Sequence, residues 1–440
     1  MDRERKVLII AEAANPEWVS VPLIGWSLAR ALGRKVESHI VTQVRNREAF
    51  LRAGLVEGVD FTAIDSEMIE GRAFRVASKL RMGEGKSWTT IQAFQSLTYG
   101  YFERLVWRQF AERIESGEFD IVHRITPMSP TSQSPIAAKC KAAGVPFVIG
   151  PLNGGLPWPK YFDAERRMEG EWLSYVRAAY KLMPGRRQTL ASASAIIIGS
   201  RHTASEIPGK YHDKCIYISE SAVDLSRFSL PVKDSITTPI RACFIGRLVP
   251  YKGPDMLIRA AAPLLRSGQL QIDLVGDGPM IDELHRICDQ ERVEHAVHFK
   301  GWVPHTELQT IAIRSDIFAF PSIREFGGTS ILETMAIGLV PVIIDYGGPG
   351  DNVPGDVGFK LPLGHRDEII ANLQATLNNI VDYPDQLIAL RQRGRRWIET
   401  KFTWQRKAEQ ICEVYDWVLG HRPDRPDPFS AQAFFKSPNQ

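Results

Sequence analysis

The chain has 440 residues, 44% hydrophobic and 24% charged, with 34 glycines and 28 prolines. This composition belongs to folded globular proteins and excludes the disordered, collagen-like and coiled-coil classes. The 54 Lys and Arg against 51 Asp and Glu give a net charge of only +3, too little to coat a polyanion, so no nucleic acid is expected as a partner. At about 100–200 residues per domain, the length predicts two to three domains.

The N-terminus opens with charges from Asp2 to Lys6. The apolar run behind it, Val7 to Ala11, is broken by Glu12 and is too short for a signal segment, so it is predicted as a first strand. No run of about 18 apolar residues follows, so no membrane span is expected. The cysteines Cys140, Cys215, Cys243, Cys288 and Cys412 are widely spaced and odd in number, which suits a reducing cytoplasm.

Short aliphatic runs at Val7–Ala11, Val36–Thr42, Ile121–His123, Pro146–Ile149 and Ala195–Gly199 alternate with helical patterns. The alternation resumes at Arg241–Ile245, Ile272–Val275, Val297–Phe299, Ile317–Phe320 and Val340–Ile344. Ile196-Ile197-Ile198 and Val342-Ile343-Ile344 are apolar on consecutive residues, as in parallel strands covered on both faces. Each half is therefore predicted to be an α/β, Rossmann-like, doubly wound domain. Ser226 to Pro239, rich in Pro, Thr and Asp, is the expected linker and hinge, which sets domains at 1–229 and 240–402 with 230–239 between them. Residues 403–440 are expected to form a C-terminal helix and a loosely held tail. In the first half, Trp88–Glu115 and Asp163–Met183 are long helical stretches.

The second half carries the chemistry. After the predicted strand ending at Ile245 come Gly246-Arg247 and then Lys252-Gly253 at a helix entrance. Glycine admits close backbone approach, helix N-termini offer unpaired N–H groups, and Arg with Lys neutralises a diphosphate. Surface charge at a strand-to-helix loop is the competing explanation. Gly276-Asp277-Gly278 begins like a dinucleotide fingerprint, but Ile281 occupies the third glycine position, so a structural turn is favoured over a dinucleotide site. Gly301-Trp302-Val303 at another strand end offers backbone groups to a base.

The most specific segment is Phe320-Pro321-Ser322-Ile323-Arg324-Glu325-Phe326-Gly327-Gly328-Thr329-Ser330-Ile331-Leu332-Glu333. A strand stops, two glycines open a helix, and two carboxylates stand eight positions apart. Amides from Gly327 to Thr329 suit a distal phosphate, while Glu325 and Glu333 suit sugar or ribose hydroxyls. Gly347-Gly348-Pro349 follows at a neighbouring strand end.

Taken in order, these motifs, with Asp351 after the last glycines, resemble the donor half of the family-four retaining glycosyltransferases of GT-B fold, glycosyl transferases group 1. The resemblance implies two Rossmann-like domains facing each other across a cleft. It implies that Arg247 and Lys252 grip a nucleotide diphosphate, that Glu325 faces the donor sugar, and that Glu333 holds the ribose. Gly246, Gly278, Trp302, Val303, Phe326, Gly327, Gly328 and Thr329 complete the expected donor site. His123, at a strand end in the first half, matches a family histidine that points at the transferred sugar; a structural histidine is the alternative. Where relatives have a glycine-rich loop after the first strand, this chain has Asn15 to Pro22, with Ser20 as the substitute contact. Asn153 and Gly154 are candidates for the acceptor side, or a plain turn.

The resemblance further implies a retaining transfer to an acceptor hydroxyl in polysaccharide or glycoconjugate synthesis, with a uridine diphosphate sugar first and guanosine diphosphate mannose second as donor. The acceptor is carbohydrate, lipid-linked or small. No cofactor and no metal are expected, because two cations already neutralise the diphosphate. The segment Lys160–Arg187 carries seven cations against four anions with Trp172, Tyr175 and Tyr180 among them. It suits either peripheral contact with the inner face of a membrane or a solvated helix face. A non-catalytic sugar-nucleotide-binding subunit and a Rossmann dehydrogenase are the competing functions.

Overall fold

The structure is a computed structural model and describes residues 5–66, 88–168 and 184–431. The chain forms two compact units. The first comprises the described residues up to Gly155, Arg166 to Glu220, and those from Trp404 onward; the second comprises Leu156–Glu165 and Ser221–Thr403.

The first unit is built on parallel strands β1 (Lys6–Ala11), β2 (Glu37–Gln43), β3 (Phe61–Ile64), β4 (Ile121–Thr126), β5 (Phe147–Leu152), β6 (Ala195–Ile198) and β7 (Cys215–Tyr217). Their spatial order is β3-β2-β1-β4-β5-β6-β7. Both faces of β1 are covered. Val7, Ile9 and Ala11 share a core with Leu28 and Leu32 of the helix Val21–Leu32. Leu8 and Ile10 share another with Phe102, Val106 and Phe110 of the helix Trp88–Glu115. Consecutive apolar residues thus reflect two buried faces. The helix Trp404–Val418 contributes Ala408, Ile411 and Tyr415 to the first of these cores at helical spacing.

The second unit contains β8 (Ile240–Ile245), β9 (Leu270–Val275), β10 (Val297–Gly301), β11 (Ile317–Phe320), β12 (Val340–Ile344) and β13 (Phe359–Leu361). They are ordered β10-β9-β8-β11-β12-β13. Ile317 pairs with Ala242 and Phe318 with Cys243 in parallel register. Strand order therefore reverses between β8 and β11, and such a switch point opens a crevice outside the strand carboxyl ends.

Three strands escaped the sequence pattern: β3, β7 and β13 span four, three and three residues and all lie at sheet edges. The expected linker is fastened to the second unit. Arg391, 2% exposed, donates through Nη1 to the carbonyls of Lys233 and Ser235 at 3.3 and 3.0 Å, and its Nη2 meets Asp316 at 2.5 Å. The chain leaves the first unit after Glu220 and returns to it at Trp404. The tail is also held as far as Ala431: Arg425 donates to the His212 carbonyl at 2.8 Å and Phe429 lies edge-on to Tyr217. Of the basic aromatic segment 160–187, residues 169–183 lie outside the described residues.

His123, on β4, is fully buried. Its Nε2–H donates to the Gly150 carbonyl at 2.8 Å, and its Nδ1 accepts from the Tyr415 hydroxyl at 2.6 Å. Both ring nitrogens are engaged inside the first unit, so the ring ties β4 and β5 to the C-terminal helix and presents no nitrogen to a sugar. Burial, with a smaller push from Arg124, lowers its pKa to about 4, against the opposing Gly150 hydrogen bond. Above pH 6.5 the ring is neutral whether folded or unfolded. Between 6.5 and about 4 the unfolded chain binds a proton that the native protein does not, so stability falls by up to about 1.4 kcal/mol per pH unit as pH drops. Denaturant unfolding of the wild type and of His123→Gln across this range should show the shallower decline in the variant; parallel curves would contradict the assignment.

Candidate functional site

The loop after β8 begins at Gly246, which lies beside Lys252 and Phe320: a carbon added there would stand 3.4 Å from each. At Gly276, by contrast, an added carbon would fall 1.9 Å from the Gly246 carbonyl oxygen, so the β8 and β9 ends converge only on bare backbone. Three strand ends are zipped together: Gly246 N–H donates to Val275, Leu248 N–H to Asp277, and Gly276 N–H to Gly301, at 3.0, 2.9 and 2.8 Å. A Cβ on Gly278 would sit 2.4 Å from the Leu248 carbonyl oxygen, so that glycine is required by loop packing. Trp302, just beyond Gly301, is 74% exposed, and Val303 beside it is half-buried.

Lys252 ends the short 3₁₀ turn Pro250–Lys252, and Gly253 then takes a left-handed backbone, φ 69°, before the helix Pro254–Arg266. The Lys252 ammonium lies 3.0 Å from Glu325 Oε2 and 5.1 Å from the centre of the Phe320 ring. Burial pulls its pKa down, but the Glu325 charge and hydrogen bond outweigh burial and raise it overall. The lysine stays charged. Arg247 is exposed on the same loop, and its side chain makes no hydrogen bond or ion pair among the described residues. Two cations therefore stand at the β8 strand end, one anchored and one open.

After β11, Gly328 caps the helix Thr329–Ala336 with φ 68°. The first hydrogen bonds into that helix come from Ile331 and Leu332, both to the Gly328 carbonyl, which leaves the Thr329 and Ser330 amides at its mouth as donors. The segment Gly347–Asn352 cradles this loop: Gly348 N–H donates to the Glu325 carbonyl at 3.0 Å, and Asn352 Nδ2 to the Gly327 carbonyl at 2.8 Å. A Cβ on Gly348 would fall 1.9 Å from the Phe326 carbonyl oxygen, so that position admits no side chain.

Glu333, 9% exposed, faces His305, whose Nε2 lies 2.8 Å from Oε1. His305 was absent from the sequence motifs, as were Asn352 and Trp158, an aromatic neighbour of Arg324. Their partners lie far along the chain, and nothing local signals them. The second unit thus gathers Gly246, Arg247, Lys252, Gly278, Glu325 to Thr329 and Glu333 around one set of strand ends.

Ser20, His123, Asn153 and Gly154 belong to the first unit. Asn153 is engaged on both sides, its Nδ2 donating to Glu220 and its Oδ1 accepting the Gly154 N–H at 2.8 Å, so its amide ties a loop instead of waiting for a ligand. Ser20 is exposed and holds φ 66°, ψ −138° immediately before the helix Val21–Leu32. A serine occupies backbone space that otherwise belongs to glycine.

The family model for glycosyl transferases group 1 matches residues 228–394. Glycogen synthase of Mycobacterium tuberculosis is 30% identical over 203 residues, 46% of this chain and 48% of that protein. D-inositol 3-phosphate glycosyltransferase of Rhodococcus opacus is 26% identical over 276 residues, 57% and 60% of the two chains. The chain thus spans about half the length of the curated relatives it matches. Among solved structures, HepE of Anabaena in complex with UDP superposes with a TM-score of 0.60 at 16% identity, over 93% of this chain and 99% of that one. Sucrose-phosphate synthase of Thermosynechococcus elongatus does so with a TM-score of 0.61 at 15% identity, over 95% and 100%. At such identity the likeness is one of fold. The cationic strand end and the glycine-opened helix lie inside the residues that match the group 1 glycosyltransferase model, and the chain has the two-domain α/β GT-B fold of the solved glycosyltransferases.

Proposed function

We propose that this protein transfers a sugar from a nucleotide diphosphate sugar to an acceptor hydroxyl with retention of configuration at the anomeric carbon. The observation that carries the proposal is the pairing of Lys252 with Glu325, 3.0 Å apart, beside an unpaired Arg247 at the strand-order switch. Breaking the anomeric bond builds negative charge on the departing phosphate and positive charge on the sugar ring. Arg247, Lys252 and the amides at Thr329 and Ser330 act on the first, and the Glu325 carboxylate lies where it can offset the second. The leaving phosphate takes the acceptor proton on the same face, so no carboxylate need form a covalent intermediate. Glu333 keeps Oε2 for a ribose hydroxyl while His305 holds Oε1.

Uridine is the favoured base, since HepE was solved with UDP and with UDP-glucose. Guanosine comes second, because a GDP-mannose-dependent mannosyltransferase of Corynebacterium glutamicum is 25% identical over 260 residues. The acceptor is a carbohydrate or a lipid-linked sugar, in polysaccharide or glycoconjugate synthesis. Among the described residues, no helix is long and apolar enough to cross a membrane; contact with a bilayer surface would show as liposome flotation.

A thermal-shift series with nucleoside diphosphates tests the donor. A nucleotide present at 100 times its Kd should add about 2.7 kcal/mol to stability, with uridine diphosphate giving the largest rise, and no shift with any nucleoside diphosphate would defeat the proposal. Arg247→Ala and Lys252→Ala should each lower turnover by about 10²-fold or more; unchanged turnover in both would remove the electrostatic role. Two protein cations on the diphosphate also predict that transfer survives EDTA. Complete loss, restored by Mn²⁺ or Mg²⁺, would contradict that expectation.

A further inference from the structure

Residues Leu156–Glu165 follow β5 of the first unit in sequence yet pack within the second. This strap touches the loop after each of three strands that frame the donor site. Trp158, 8% exposed, stands edge-on to Tyr251, the neighbour of Lys252, with ring centres 5.8 Å apart. The Arg324 guanidinium, 7% exposed, lies 4.9 Å from the Trp158 ring centre and 5.2 Å from that of Phe326. Arg324 Nε also donates to the Leu156 carbonyl at 3.2 Å, and the Tyr346 hydroxyl to the Pro157 carbonyl at 2.9 Å. The far end of the strap is anchored by Tyr161 against His365, ring centres 3.9 Å apart.

Glu325 is thus flanked in sequence by Arg324 and Phe326, and the Arg324 guanidinium lies near both the Phe326 ring and an indole from a distant segment. The same indole braces Tyr251, whose carbonyl accepts the Ile323 N–H at 2.9 Å. A buried cation near two aromatic rings is attracted to both, and a planar guanidinium can also stack on a ring where an ammonium cannot. The loop bearing Glu325 and the turn bearing Lys252 are therefore braced by one side chain.

We infer that Trp158 and Arg324 are positioning residues that set Glu325 against Lys252 for donor-sugar placement, an inference that rests on the donor-site assignment above. The strap meets the turn of Lys252 through the neighbouring Tyr251 ring and meets the residue next to Glu325 directly, while Arg247 and the helix amides have no contact with Trp158 among those described. Loss of the strap contact should therefore disturb the sugar end more than the nucleotide end. A misplacement of about 1 Å at a reacting centre lowers rate by about 10²-fold.

The experiment compares the full-length wild type with Trp158→Leu, Trp158→Phe and Arg324→Lys. Calorimetric titration with UDP and GDP is set beside the rate of UDP-glucose or GDP-mannose hydrolysis, in which water replaces the unknown acceptor. Hydrogen exchange at residues 323–328 is measured on the ligand-free proteins. Trp158→Leu and Arg324→Lys should hold the nucleotide Kd within about threefold while the hydrolytic rate falls about 10- to 100-fold and exchange at 323–328 quickens. Trp158→Phe, which keeps an aromatic face, should recover most of the rate. Unchanged exchange and rate in Trp158→Leu would overturn the strap's role and leave the donor assignment standing. So would a loss in which Trp158→Phe and Trp158→Leu fall equally, in step with Tm. Wild-type protein that binds neither nucleotide would overturn the donor assignment itself, and the exchange at 323–328 would still decide whether the strap braces the loop.

Discussion

A half-buried ammonium cannot stand alone, and the second unit solves this at Lys252 by placing Glu325 Oε2 3.0 Å from it. The pair fixes two loops at once, because the lysine comes from the turn after β8 and the glutamate from the loop after β11. Strands β8 and β11 are adjacent and parallel, and strand order reverses between them, so their carboxyl ends open where an α/β sheet receives ligands. Gly276 and Gly348 allow the backbones of the loops around the pair to approach closely. Neutralising the lysine's charge in part, without removing it, leaves a cation that an arriving anion can share.

Much of the second unit was legible in the residues. Runs such as Val342-Ile343-Ile344 announce strands with two covered faces, and the glycines, cations and paired glutamates follow strand ends in the order that the proposed site for a diphosphate and a sugar requires. Less of the first unit could be read. Strands β3, β7 and β13 are too short to show a period, and their existence depends on a neighbouring strand already in place. His123 illustrates a deeper limit: a histidine at a strand end is compatible with catalysis or structure, and only the position of Tyr415, from a helix 292 residues away, decides which nitrogen contacts it has. Asn153 is similar, since Glu220 claims the amide that looked free.

The linker shows how composition can mislead. Lys233 and Ser235 lie in a polar, proline-flanked segment in which residues 234, 235, 237 and 238 are exposed, yet the backbone carbonyls of Lys233 and Ser235 accept from a buried arginine and fasten the segment to the second unit. The strap at Leu156–Glu165 carries the same lesson in reverse. Its apolar and aromatic residues gave no period, and their partners, Tyr251, Arg324, Tyr346 and His365, are all far along the chain. Phe326, directly after Glu325, has a structural partner that the motif does not announce: its ring centre lies 5.2 Å from the Arg324 guanidinium.

The central claim is that an anchored cation, an open cation and a helix mouth together hold a diphosphate. Amide hydrogen exchange with and without saturating uridine or guanosine diphosphate tests it most directly. The account predicts slowed exchange at Gly246–Lys252 and at Gly327–Ser330 together. Calorimetric binding of the nucleotide with both stretches unchanged would contradict it.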